Sequence, residues 1–224
     1  MKIDLLTLFP KMLEGFMSES IVGRAQRLGL VEIGIHNIRD WSRDPHHSVD
    51  DRPFGGGAGM VLKAEPLSEA VSSLKQADSK VIYLCPDGQL LSTPIVRRLA
   101  SAPHLILVSG HYEGVDERFR EHYIDEEISI GDYVLTNGTL PAAVLLDAVV
   151  RYVPGALGDE QSLQQDSFSQ TLLTFPQYTR PQEFEGQSIP DVLMSGDHAA
   201  IASWRFKQQL IRTLRRRPDL IFNR

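Results

Sequence analysis

One cysteine, Cys85, stands alone in a chain of 224 residues. Its isolation excludes an internal disulfide framework and any zinc site built from several cysteines. No apolar run approaches the roughly 18 residues that a membrane span needs. At the amino terminus, Met1-Lys2-Ile3-Asp4, an acid interrupts what would be the apolar region of a signal peptide. Internal repeats and low-complexity tracts are also missing. A soluble cytoplasmic protein that keeps clear of membranes is expected. Apolar residues at 42% and charged residues at 23% describe an ordinary globular chain with enough length for a sizeable core.

The net charge of −6 by itself disfavours a nucleic-acid binder, but its distribution is uneven. Arg205, Lys207, Arg212, Arg215, Arg216 and Arg217 form a run without acids, which leaves the rest of the chain at −12. A basic element on an acidic body can form a local phosphate-binding field, or it can be a solvated helix face.

The first two thirds alternate apolar strands with helical stretches. Strands are predicted at Lys2–Leu8, Val31–Asn37, Lys80–Cys85, Leu105–Ser109 and, more weakly, Ile124–Ile130. Helices are predicted at Ser20–Leu28, Pro66–Ala77 and Leu140–Val153, and from a Thr93-Pro94 cap pair to Ala100. Ile38–Met60 has no periodicity. The alternation implies a mostly parallel sheet with helices on both faces. Residues 1–158 form the α/β domain in this reading. Residues 159–168 are a flexible linker, and 169–224 a small all-helical domain whose main helix runs from about His198 to Arg216.

Parallel sheets bind ligands at the carboxyl ends of their strands. Three loops follow the predicted strands there: Pro86-Asp87-Gly88-Gln89, Gly110–Arg118 and Gly131–Gly138. Their backbones could read an adenine edge and ribose hydroxyls, or their glycines could simply make turns. None matches a Rossmann or P-loop pattern. A second glycine cluster, Asp50–Met60, is either a loop that orders around substrate or a flexible surface loop. Taken alone, Asp166 reads as a solvated residue or cap, and Arg151 as a charge suited to a helix C-terminus. The pair His46-His47 is weak evidence for a metal.

Taken together, the motifs resemble the bacterial tRNA (guanine-37-N1)-methyltransferase family of the SPOUT trefoil-knot class. The match is nearly full length. It includes Asp4–Pro10, Ile21–Ala25, Val49–Gly57, Gly59-Met60, Gly110–Arg118 and Ile130–Leu135. It continues through Asp166-Ser167-Phe168, Tyr178–Pro181 and Leu193–Ala199. The resemblance implies a deep knot in the α/β domain, which ordinary rules of chain topology would not give. It also implies S-adenosylmethionine as methyl donor, tRNA with guanine at position 37 as substrate, a homodimer, and use of Mg2+. By motif, Tyr83, Leu84, Pro86, Gly88, Gly110, Tyr112, Glu113, Gly114, Ile130, Gly131, Asp132, Tyr133, Val134, Leu135, Gly138 and Pro141 fall on cofactor positions. Asp166 falls on the family's general base and Arg151 on its guanine-orienting arginine. A divergent relative that binds without catalysis, or a methyltransferase with another RNA target, are the competing readings.

The chain departs from the family at a few places. Asn137-Gly138-Thr139 stands where Gly-Gly-Glu is usual, and Asn137 is expected to keep a left-handed turn. Thr171-Leu172-Leu173-Thr174 stands where the family often has Gly-Leu-Leu and an acid, which weakens the expectation of Mg2+. The chain stops at Arg224, short of the family's usual last helices, and weaker tRNA affinity is expected from that.

Overall fold

A computed structural model describes residues 1–159 and 161–222. Glu160 of the expected linker, and Asn223 and Arg224 at the end of the expected helical domain, lie outside the described residues. The chain divides into two compact units, Met1–Gly158 and Asp159–Arg224.

The first unit runs β1 (Lys2–Thr7), α1 (Glu14–Ser18), α2 (Ser20–Arg27), β2 (Glu32–Asn37), β3 (Asp50–Asp51), β4 (Val61–Leu62) and α3 (Ala64–Leu74). It continues through β5 (Ser79–Leu90), α4 (Thr93–Ala100), β6 (His104–Ser109), α5 (Glu117–Tyr123), β7 (Glu126–Ser129) and α6 (Thr139–Val150). Five strands make one sheet in the order β2-β1-β6-β5-β7, every neighbouring pair parallel. The short β3 and β4 pair antiparallel on their own.

Strand alternation divides the core in two. Ile3, Leu5, Ile82, Leu84, Leu105 and Leu107 face one side, where α2, α4 and α6 bring Val22, Leu99, Leu145 and Val149. Leu6, Val81, Tyr83, Ile106 and Val108 face the other, where α3 and α5 bring Leu67, Val71 and Phe119. Both faces are covered, so the strands read as near-continuous apolar runs.

Several boundaries differ from the sequence expectation. Pro86–Gln89, expected as a loop, lies inside β5: Leu84 and Gln89 both pair with Ile128, and the residues between them bulge out. A proline lacks the donor a ladder needs, which suits it to such a bulge. Helix α4 begins one residue earlier than expected, with Ser92 rather than Thr93 at the N-cap position and no capping hydrogen bond from its side chain. Helix α5, not anticipated, is capped by the Asp116 side chain, which accepts from Arg118 N.

The second unit contains α7 (Gln161–Gln165), β8 (Glu183–Phe184), β9 (Gln187–Ser188), α8 (His198–Arg216) and α9 (Asp219–Phe222). The polar run expected to be a linker therefore holds a short helix. The unit is also not wholly helical, because β8 and β9 pair antiparallel across Glu185 and Gly186, both left-handed. Two successive left-handed residues make the tight turn that favours a hairpin. Helix α8 begins where Asp197 Oδ1 accepts from Ala199 N and Ala200 N.

Candidate active site at the carboxyl edge of the sheet

The carboxyl ends of β5, β6 and β7 open into one cavity of about 330 Å3, within the range of small-molecule sites. Tyr83, Leu84 and Pro86 line it from β5. Gly110, Tyr112, Glu113 and Gly114 line it from the loop after β6. Ile130, Gly131, Tyr133, Val134, Leu135 and Gly138 line it from the loop after β7, and Pro141 from α6. Of the cofactor candidates read from the sequence, Gly88 and Asp132 are not among the lining residues. Gly88 instead shapes the strand: a Cβ there would meet Ile128 N at 2.5 Å, so its bare backbone lets the β5 bulge lie on β7. Arg151 caps the C-terminus of α6 and is not among the lining residues. Asp166 belongs to the second unit, just past α7.

The loops are fixed to each other by backbone contacts. Gly138 N donates to Gly110 O at 2.7 Å, and a Cβ on Gly138 would lie 2.7 Å from Gly110 N. Only glycine permits that approach. Leu62 N donates to Gly114 O, while Glu113 N donates to Met60 O. The second glycine cluster thus leads into the loop after β6: a Cβ on Gly59 would meet Glu113 Oε1 at 2.4 Å.

Two of the departures noted in the sequence, Asn137 and Thr139, have local explanations. Asn137 is not left-handed, contrary to expectation; its Oδ1 accepts from Thr139 N at 2.9 Å and so satisfies a donor at the start of α6. Thr139 is fully buried, its Oγ1 2.8 Å from Thr7 Oγ1 and 3.1 Å from Ser109 Oγ. Three hydroxyls from β1, β6 and α6 satisfy one another there. A carboxylate at that position would be buried among neutral groups, at a large desolvation cost.

Charges gather at the β5 side of the cavity. Arg120 on α5 donates to both Glu127 oxygens at 2.8 and 2.7 Å, and to Asp87 Oδ2 at 2.8 Å. The Arg120 guanidinium holds the Asp87 carboxyl below its usual range. Burial, reinforced by Asp87, pushes the Cys85 thiol up to about 12, so it stays protonated and unreactive. Burial likewise raises Tyr83. Cys85, Asp87 and Glu127 form the one close group of metal-ligand types among the described residues. Its carboxylates already hold the Arg120 cation, so this cluster does not fit Mg2+. His46 and His47 are not part of it.

His111 lies on the cavity wall between the rings of Phe9 and Tyr112, at 5.0 and 4.4 Å. Its Nδ1 is buried without a hydrogen-bond partner. Burial, with the nearby Arg39 charge, lowers its pKa, so the ring is neutral at neutral pH. Beside it, Tyr112 holds a left-handed backbone at φ 58°. An unanswered buried nitrogen and a strained residue are marks of a site built for a ligand. Among the lining residues that sequence reasoning missed are His111, Cys85, Asp87, Asn137 and Arg120. The first four lie inside the loops it singled out or at their edge, whereas Arg120 sits on the helix it did not foresee.

A family model described as tRNA (Guanine-1)-methyltransferase TrmD matches residues 1–223. The chain is 55% identical to the tRNA (guanine-N(1)-)-methyltransferase of Staphylococcus carnosus (strain TM300) over 222 residues, covering 99% of this chain and 91% of the relative. It is 54% identical to the protein of the same name from Chloroflexus aurantiacus (strain ATCC 29366 / DSM 635 / J-10-fl) over 224 residues, covering 99% of this chain and 88% of the relative.

Proposed function

The chain belongs to the tRNA (guanine-1)-methyltransferase family, and from that premise we propose that it transfers a methyl group from S-adenosylmethionine to N1 of guanine-37 in tRNA. The observation that carries the reading is the convergence of the β5 bulge and the loops after β6 and β7 on one cavity at the carboxyl edge of a parallel sheet. The cavity suits the cofactor chemically. Ile130 and Leu135 offer apolar surface to an adenine, Gly110 and Gly138 bring side-chain-free backbone to the wall, and His111 Nδ1 offers an unanswered polar atom.

Bound S-adenosylmethionine supplies a methyl already activated on a sulfonium. The protein's part is to make guanine N1 nucleophilic and to align it. Guanine N1 carries a proton, which the Asp166 carboxylate removes. Negative charge then builds on O6, where the Arg151 guanidinium donates to it. The N1–carbon bond forms as the sulfur–carbon bond breaks, and the electron pair stays on sulfur. Guanine-37 belongs to a single-stranded loop and can be splayed out at modest cost. The arginines of α8, with Arg215 and Arg216 exposed, grip the backbone phosphates. No step is assigned to Mg2+.

A homodimer with active sites between subunits is part of the reading. Leu140 and Val144, about half exposed on one face of α6, give it an apolar surface to bury. A trefoil knot is another part, supported by the passage of Gly138 against the Gly110 backbone. So is a cytoplasmic location; among the described residues no helix is long and apolar enough to cross a membrane.

Unmodified tRNA transcript incubated with methyl-labelled cofactor, followed by nucleotide mapping, tests the proposal. Label is expected at guanine-37 with multiple turnovers, with and without Mg2+ once the tRNA is folded. Label at another nucleotide overturns the target, and cofactor binding without turnover overturns the enzyme. Asp166→Ala is expected to lower turnover at least about 100-fold while sparing cofactor affinity. Near-normal turnover removes Asp166 from the mechanism.

A further inference from the structure

We propose that Thr213 is a positioning residue: its hydroxyl ties the tRNA-gripping helix α8 to the loop carrying Asp166, so one element both holds the RNA and sets the base. The inference rests on the reading of Asp166 as general base and α8 as phosphate grip.

Thr213 is the one fully buried residue of the 19-residue α8. A threonine in that place calls for a polar reason, since valine would fill the same volume. Its Oγ1 donates to Gln209 O at 2.7 Å and accepts from Leu173 N at 2.9 Å. The single hydroxyl proton is used within the helix, and the lone pair reaches out to the loop.

That loop closes on itself between Asp166 and Thr174. Ser169 N donates to Asp166 O at 3.2 Å, Phe168 N to Leu172 O at 2.8 Å, and Thr174 N to Ser167 Oγ at 3.0 Å. Two of its residues are left-handed without being glycine, Phe168 at φ 71° and Thr171 at φ 66°. A left-handed β-branched residue is a genuine strain, held only where the surroundings fix it. The fixing points lie at the end of α8. Thr213 holds Leu173, and the Arg217 guanidinium lies 5.9 Å from the Phe168 ring while Arg217 N donates to Thr213 O. Between these two ties stand the exposed Arg215 and Arg216. RNA phosphates on those arginines are therefore registered against the Asp166 loop through these two ties, of which the Thr213 hydroxyl is the one that holds its backbone.

The test is made on the full chain with Thr213→Val and Thr213→Ser, measuring tRNA affinity, cofactor affinity and the single-turnover methyl-transfer rate at saturation across pH. A misplaced base is expected to slow Thr213→Val about 30-fold. Both affinities are expected to stay within about twofold, and the serine variant to recover most of the rate, because it keeps the hydroxyl. The deficit is expected to shrink as pH rises toward the ionisation of guanine N1, since a substrate that has lost its proton needs no base. A merely structural defect leaves a pH-independent deficit, or weakens tRNA binding without serine rescue, and either result overturns the proposal. So does a normal rate in Thr213→Val. Arg217→Gln removes the cation over Phe168, and with it the surface ion pair to Asp219, without touching buried packing. It is expected to show the same pH pattern with a deficit of about threefold, and a pH-independent deficit there counts against the tie. Asp166→Ala separates the two ideas. If it is normal, the base assignment falls; if it is slow while Thr213→Val is normal, only the tie falls.

Discussion

The two ends of the five-stranded sheet treat polar groups in opposite ways. At the amino ends of β1, β5 and β6, Asp4 is 1% exposed, yet both its oxygens are used. His36 Nε2 lies 2.7 Å from Oδ1, and His104 Nε2 lies 2.8 Å and Lys2 Nζ 3.1 Å from Oδ2. A carboxylate only accepts, so each imidazole donates. The network continues from His104 Nδ1 to Ser79 Oγ at 2.7 Å, and Ser79 Oγ accepts from Gln76 N. At the carboxyl ends β5 and β6, joined by β7, lead to a cavity with an unanswered imidazole nitrogen and a left-handed tyrosine. One end satisfies its buried polar groups and serves stability. The other leaves a buried nitrogen unanswered, as the proposed ligand site calls for.

The largest effect is expected from breaking the satisfied end. Asp4→Asn leaves the histidines and Lys2 without their anion and is expected to cost about 3–5 kcal/mol in urea unfolding at neutral pH. Where enough folded protein remains, cofactor affinity is expected to be unchanged, because the change lies at the opposite end of the strands. The pH dependence has a definite sign. Burial acts to raise the Asp4 carboxyl, but the hydrogen bonds from His36, His104 and Lys2 overcome it and hold the group below its ordinary value of 3.8. A depressed carboxyl gives stability that is complete above that ordinary value and is lost as pH falls through the folded value. The gap between the wild type and Asp4→Asn therefore narrows only below about pH 3.8. A gap that narrows on the alkaline side instead contradicts the assignment.

At the open end, Gly138→Ala is expected to weaken cofactor binding at least about 100-fold by calorimetry, because its methyl must displace the Gly110 backbone rather than a flexible side chain. Gly15→Ala is the matched control: its Cβ meets nothing within 4 Å, so neither stability nor affinity is expected to fall. Equal behaviour of the two variants removes the Gly110–Gly138 contact as the wall of the site.

The same contrast shows what a sequence displays. Val81–Leu84 and Leu105–Val108 were legible as strands because burial on both faces makes them apolar throughout. Helix α8 was legible, expected from about His198 to Arg216 and found at those bounds, since Asp197 caps it and a long amphipathic stripe follows. Helix α5 was not, because only Phe119 of its seven residues is buried and no stripe forms. The β8–β9 hairpin escaped because its four strand residues are all exposed, without alternation. Glycines marked the loops of the site. The partners of Arg120 were invisible, since Asp87 lies 33 positions away and nothing local signals the pairing. Thr139 looked like a missing acid until Thr7 and Ser109 were seen to meet it.

That hydroxyl trio joins the satisfied style of the first end to the open end, and removing it gives the next smaller effect. Thr139→Val keeps the volume and loses the bridge from β1 and β6 to α6. Cofactor affinity is expected to fall about tenfold, the worth of one or two buried hydrogen bonds. Thr139→Ser is expected to restore most of it. Loss of stability without loss of affinity places the trio with the core instead.

The smallest expected change is the sharpest test of the contrast, because its two readouts move in opposite directions. His111 Nδ1 is buried and unpaired, a desolvation cost that the ligand-free protein carries. In His111→Phe an apolar ring keeps the contacts with Phe9 and Tyr112 and removes that cost, so thermal unfolding is expected to show a gain of up to about 1 kcal/mol. The ligand loses the hydrogen bond the nitrogen was kept for, and cofactor affinity is expected to fall about fivefold, near the net worth of one neutral hydrogen bond. Burial and the Arg39 charge lower the imidazole pKa, so wild-type affinity is expected to stay flat from pH 7 upward as far as this ring is concerned. A fall in both stability and affinity would make His111 a packing residue like those at the other end of the strands. A gain in stability with a loss of affinity marks a group whose hydrogen bond is reserved for the ligand.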